Sequence, residues 1–249
     1  MPRKTLNVMN GWGIGAIMMR WMVGLAALWL GLAGAAMAEG KKPVILVELF
    51  TSQGCSSCPP ADAFLHELAK RSDVVALSLH VDYWDYIGWK DVFADKKFTL
   101  RQHGYAQAGK RRSVYTPQMI IHGQDHVVGN HPMDVTDLIK AYQKRAQPVA
   151  LKVVRQGGQV MIRADGKGKG PMVVQLVRFE PRVTVDIRRG ENAGRRISYA
   201  NVVRQWDVIG EWDGRAPLEM KVLAEGKLPV AVVVQKKGFG PVVAAARVE

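Results

Sequence analysis

Cysteine is the scarcest informative residue in this chain of 249: Cys55 and Cys58 are the whole supply. With no second C-x-x-C to complete a tetrahedral set, a structural zinc ribbon finds no support. With no third thiol, any cysteine chemistry stays within the pair or passes to a partner. Acidic residues are missing from residues 1–38, where Arg3, Lys4 and Arg20 carry all the charge. Beyond Ala38 no apolar run is long enough to cross a bilayer as a helix. Internal repeats and long low-complexity linkers are absent as well.

The basic N-terminal segment contains an uncharged, mostly apolar run from Trp21 to Ala35, followed by Ala36-Met37-Ala38. This pattern predicts a signal peptide over 1–38, cleaved near Ala38–Glu39, with an uncleaved membrane anchor as the alternative. Export to the periplasm or beyond would place both cysteines where disulfides persist, and it argues against a nucleic-acid partner. Charge is uneven along the rest. Residues 39–149 hold 14 basic and 12 acidic side chains, while residues 150–249 hold 18 and 10. The excess in the second part reads either as an ordinary solvated surface or as attraction to an anionic membrane surface or acidic polymer.

Periodicity divides the chain near Pro148. Val44 to Val47 is continuously apolar, as in a strand buried on both faces. Ala61, Phe64, Leu65, Leu68 and Ala69 draw one helical stripe, and Val74 to Val81 reads as a second strand, giving a parallel crossover unit. Asp91 to Ala108 carries weaker helical signals interrupted by Gly104. A hairpin is expected over 117–129, and a last helix capped by Asp134. From Val149 onward, short β runs alternate with glycine-rich turns, which predicts an all-β, immunoglobulin-like sandwich over 149–249.

Two cysteines three positions apart close a small ring, a weak constraint on the unfolded chain. Placed between a strand and a helix they suit redox cycling, with a purely structural bridge as the alternative. The helix start favours thiolate, so Cys55 is expected as the exposed nucleophile and Cys58 as the resolving thiol. Pro59 disfavours helical geometry at Cys58 and predicts a delayed helix start. Asp82 to Trp89 is unusually aromatic. Tyr83 and Trp84 read either as a peptide-binding rim or as a lid over the core.

The order of elements around C-x-x-C, with Thr116-Pro117 opening the hairpin, resembles the thioredoxin fold. That resemblance implies an α/β thioredoxin-like domain over 39–148, with Pro117 in cis and facing the pair. The segments 47–62, 80–91 and 115–118, with Gly190 to Gly194, are similar to a secreted bacterial family known as domain of unknown function 1223. The resemblance places Gly54, Ser56, Ser57 and Tyr115 beside the pair as substrate contacts. It also suggests Glu48 as a buried proton acceptor, although a solvent-facing position or a lysine partner fits the residue equally well. The Trp and Gly-Pro usual in working thioredoxins are missing, so Ser56-Ser57 leaves the direction of electron flow open.

The expected activity is thiol–disulfide exchange with a protein or small-molecule thiol or disulfide, with no cofactor beyond the pair itself. The alternatives are Cu(I) binding by the cysteines and one of His80, His103, His122, His126 or His131, and a non-catalytic binding module. Nothing in the sequence specifies an oligomeric state.

Overall fold

The computed structural model describes residues 42–168 and 170–248, so the predicted signal peptide lies outside the described part. Strands β1 (Ile45–Thr51) and β2 (Val74–His80) are buried at every position, matching their continuous apolar sequences. They pair in parallel, from Ile45 opposite Val74 to Thr51 opposite His80. Helix α1 (Pro59–Ala69) makes the crossover and buries Ala61, Asp62, Leu65 and Leu68. Strand β3 (Gln118–Ile121) lies antiparallel to β1, and β4 (Asp125–Val128) completes the hairpin.

Helix α2 (Lys96–Ala108) starts at Asp95, whose side chain accepts from the Lys97 amide. It runs unbroken through Gly104, where the Phe239 ring occupies the space a Cβ would need. Helix α3 (Pro132–Gln143) begins one turn earlier than expected. His131 stands at its N-cap and Pro132 at its first turn, so Asp134 lies inside the helix rather than capping it.

The remaining strands are β5 (Val149–Gln156), β6 (Gln159–Gly166), β7 (Met172–Asp186), β8 (Arg196–Trp212), β9 (Leu218–Leu223), β10 (Val230–Lys236) and β11 (Val242–Val248). They do not form a separate sandwich. Strand β8 runs parallel to β2 at Ser78–Val202, so one mixed sheet continues in the order β11-β10-β7-β8-β2-β1-β3-β4. Strands β5, β6 and β9 form a second sheet of three. The expected thioredoxin-like domain followed by an immunoglobulin-like domain is therefore corrected to a mostly β architecture built on one shared eight-stranded sheet. Asn201 marks the junction, with φ 47° and its side-chain amide donating to Ala76 O of β2 at 2.8 Å.

Alternation sorts the core. Leu46, Phe50, Leu77, Leu79, Val177 and Val233 share one side with Phe98 and Tyr105 of α2. The sheet curls around this side until the Val242 amide at the start of β11 donates to His122 O beside the β3–β4 turn, at 3.0 Å. The opposite face carries Val47, Leu49 and Ala76 against α1 and α3. Farther along that outer layer, Val174, Val232 and Val234 pack with Val160 and Ile162 of the smaller sheet. Each fully buried Leu or Val contributes roughly 1.5–3 kcal/mol of burial free energy, so both layers are needed to hold the shared sheet.

Candidate functional site

Thr51 ends β1, and the chain turns through Ser52, Gln53 and Gly54 to Cys55. Cys55 and Cys58 form a disulfide with Cα atoms 5.4 Å apart. Cys58 is the residue immediately before α1 and already has helical geometry (φ −79°, ψ −33°) despite the proline that follows. The helix therefore starts at Pro59, not later as Pro59 had suggested. The Cys58 carbonyl accepts from the amides of Ala61 and Asp62 at 2.9 and 3.0 Å, and this hydrogen bonding offsets the pre-proline penalty. Pro59 and Pro60 also remove two N–H groups from the helix start, narrowing the set of donors available to a thiolate.

Both sulfur-bearing residues are buried, Cys55 at 1% and Cys58 at 0% exposure, so Cys55 is not the exposed member of the pair. Ser56 and Ser57 are exposed beside it, and Ser57 Oγ lies 3.4 Å from Cys55 Sγ. The cover comes from two directions. Trp84 and Ile87 crowd Gly54, where a Cβ would sit 3.1–3.2 Å from their side chains. Trp89 Nε1 donates to Gln53 Oε1 at 2.7 Å, and Trp84 Nε1 donates to Thr116 Oγ1 at 2.8 Å. From the β7–β8 connection, Asn192 donates to both Gln53 O and Cys55 O at 2.9 Å. Asn192 is itself buried, and Gly190 packs on Trp89.

The Thr116–Pro117 bond is cis, and Pro117 is buried at the start of β3. Pro117 O accepts from Gly129 N at 3.0 Å, and the next residue, Asn130, donates to Ser57 O at 2.9 Å. Thr116 thus joins the cysteine loop through Trp84, and Pro117 through Gly129 and Asn130. Tyr115 is exposed outside them. Tyr83 is half-buried, and burial pushes its phenol up to about 12.

Behind the cysteine loop lies a cluster of buried polar groups. Asp62, one helical turn beyond Cys58, is buried with neither carboxylate oxygen hydrogen-bonded. Its pKa is raised to about 7, chiefly by burial. His80 and Thr51 oppose that rise, while the Asp91 charge adds to it. Thr51 Oγ1 is near enough to influence the carboxyl without making a well-formed hydrogen bond. His80 Nε2, Ser78 Oγ and Tyr199 OH also lack partners. The other imidazole nitrogen, His80 Nδ1, faces Asp91 Oδ2 at 2.6 Å, and that same oxygen accepts from Gln53 N at 2.8 Å. Burial would raise Asp91, but the His80 charge and hydrogen bond, with the Gln53 and Phe93 amides, hold it below its usual value. Tyr199 stacks edge-on to His80 with ring centres 4.9 Å apart. Polar groups thus run from the cysteine loop through Asp91 and His80 toward Asp62.

Glu48 occupies the other side of β1. Its carboxylate accepts from Arg101 Nε at 2.6 Å, Arg101 Nη2 at 3.2 Å and Tyr105 OH at 2.5 Å. Arg101 stacks 3.7 Å from the Trp206 ring centre, and Gln175 and Gln235 extend the network. The structure places Glu48 in this closed interior network, on the strand face opposite α1, instead of with the cysteines.

Among the candidate histidines, His80 belongs to this buried cluster and His122 is lowered to about 4, first by burial and then by the Arg145 charge. His126 Nδ1 lies against Gln118 Nε2, His131 pairs with Asp134, and His103 is exposed. Among the described residues no three His, Cys, Asp or Glu side chains form a group suited to holding a metal. Sequence reasoning missed Asp62, Asp91, Tyr199 and Asn192 as site residues. One signal was available for Asp62: an acid flanking the apolar stripe of α1, between Ala61 and Leu65.

A mixed β-sheet protein with a buried C-x-x-C disulfide at the head of its crossover helix is thus defined by fold and site. The family model described as "Protein of unknown function (DUF1223)" matches residues 46–235, and the chain belongs to that family. A crystal structure of protein AGR_C_4864 from Agrobacterium tumefaciens is similar at 36% identity and TM-score 0.73, covering 84% of this chain and 95% of its own. HBP35 of Porphyromonas gingivalis shares the fold at TM-score 0.53 and 14% identity, covering 83% of this chain and 75% of its own. No curated protein matches the chain.

Proposed function

We propose that this protein is an exported thiol–disulfide oxidoreductase that exchanges its Cys55–Cys58 disulfide with a protein or small-molecule thiol. The observation that carries the reading is the chain's sole cysteine pair, joined across two residues at the start of a helix. A ring of that size does little as a staple, so its reactivity is its more useful property. When the pair oxidises a partner dithiol, a partner thiolate attacks Cys55 Sγ, and the Cys55–Cys58 bond breaks with its electron pair on Cys58. A second partner thiolate then attacks the mixed disulfide, forming the partner's disulfide and freeing Cys55 as thiolate. Reduction of a partner disulfide is the reverse.

Burial of Cys55 makes access part of the mechanism, with the Asn192 loop and the Trp84–Trp89 segment as the elements that must move aside. The test uses single cysteine variants against model disulfides and dithiols. Cys58→Ser should accumulate a mixed disulfide through Cys55, and Cys55→Ser should lose exchange. Exchange rates in both variants equal to the wild-type rate would falsify the reading.

A further inference from the structure

Asp62 is a buried acid without a hydrogen-bond partner, and the exchange steps above leave it unused. Its amide bonds the carbonyl of Cys58 at 3.0 Å, so the two residues stand one turn apart on the same helix face, with Cβ atoms separated by about 6 Å. An isolated buried carboxylate is costly, which makes the neutral acid the stable form in such a place. The groups that act on it come from four places: Thr51 of β1, His80 of β2, Tyr199 of β8, and Asp91 after β2, paired to His80. On its own helix the next titratable group is His66, whose Nε2 lies 3.0 Å from Ser198 O.

We propose that Asp62 is the proton partner of Cys58, supplying a proton to its sulfur when the disulfide is reduced and recovering it when the disulfide forms. The proposal rests on the exchange reading and gives its second cysteine an acid–base group. When an incoming thiolate bonds to Cys55 Sγ, the disulfide breaks and its electron pair moves to Cys58 Sγ. The Asp62 proton transfers to that sulfur, directly or through one water, and leaves a carboxylate facing His80, Thr51 and Tyr199. On re-oxidation the carboxylate takes the proton from the Cys58 thiol, and the resulting thiolate attacks the mixed disulfide and expels the partner thiolate. A carboxyl that titrates at about 7 is half-ionised near neutral pH and serves both directions.

The decisive measurement is the Asp62 carboxyl titration by carbon-13 NMR, in the disulfide form and in protein reduced with dithiothreitol. Asp62→Asn identifies the resonance. The expected result is a midpoint near 7 in the disulfide form, displaced by about one unit or more once the Cys58 thiol is present. Equal midpoints in the two forms would overturn the proposal. A second measurement follows ring closure of the mixed disulfide with glutathione across pH. Asp62→Asn should slow closure about 100-fold near neutrality, converge on wild type at alkaline pH, and be partly rescued by Asp62→Glu. Closure at the wild-type rate over the whole range in Asp62→Asn overturns it too. Coupled titration in a protein that exchanges with no substrate would support the proton partnership and remove only the exchange reading.

Discussion

Glu48 and Asp62 are both buried acids within reach of β1, yet they meet opposite surroundings. On the inner face, Glu48 is gripped by Arg101 and Tyr105, with Gln175, Gln235 and Trp206 closing the circle. On the outer face, Asp62 lies among Thr51, His80 and Tyr199 with its oxygens unbonded. A satisfied acid fixes a structure, because every group around it depends on its charge. An unsatisfied one is poised to change state. Burial alone does not separate a structural carboxylate from a chemical one; partner saturation does.

The largest expected effect breaks the saturated side. Arg101→Ala should leave the Glu48 charge buried and lower stability by about 3–5 kcal/mol, read by denaturant unfolding. An equally stable variant would mean that the inner network contributes little. The unsaturated side should respond with the other sign. Because the folded pKa of Asp62 is raised from 3.8 to about 7, its contribution is fully present below 3.8 and is lost as pH rises through 7. Asp62→Asn should therefore match wild type most closely in acid and exceed it by about 2–4 kcal/mol at pH 8. Parallel stability curves for the two proteins would contradict an ionising Asp62. The smallest effect comes from Thr51→Val. The hydroxyl makes no well-formed hydrogen bond, so its removal should change stability by less than about 1 kcal/mol. It should still move the Asp62 titration upward, because Thr51 opposes the rise.

Much of the local structure was legible. Continuous apolar runs marked β1 and β2, and glycine-rich turns located most strands after Val149. Pairing partners were harder to see, because period reports which face a residue takes and not which strand lies beside it. The merging of the two halves hangs on β8, which meets β2 at Ser78–Val202 beside the left-handed Asn201. Helix α2 gave a weak signal because its buried face carries Arg101 and Gln102 as well as Phe98 and Tyr105. Strand β7 passes straight through Glu180-Pro181-Arg182, with its register shifted near Arg178. The Cys55–Cys58 disulfide and the cis Thr116–Pro117 bond agree with what spacing and resemblance implied. The resemblance suggested Glu48 as the acid of the pair, but strand parity turns it to the inner face with Arg101 and Tyr105, while Asp62 on the helix lies near His80 and Thr51.

Asn192 bonds the carbonyl of Cys55 from 137 residues farther along the chain. As the polypeptide emerges from its N-terminus, both cysteines are therefore present long before Asn192, one of the residues that cover them. Until Asn192 is made, the pair lacks that part of its cover, so the disulfide can form before the enclosure is complete. The order of synthesis thus separates making the bond from enclosing it.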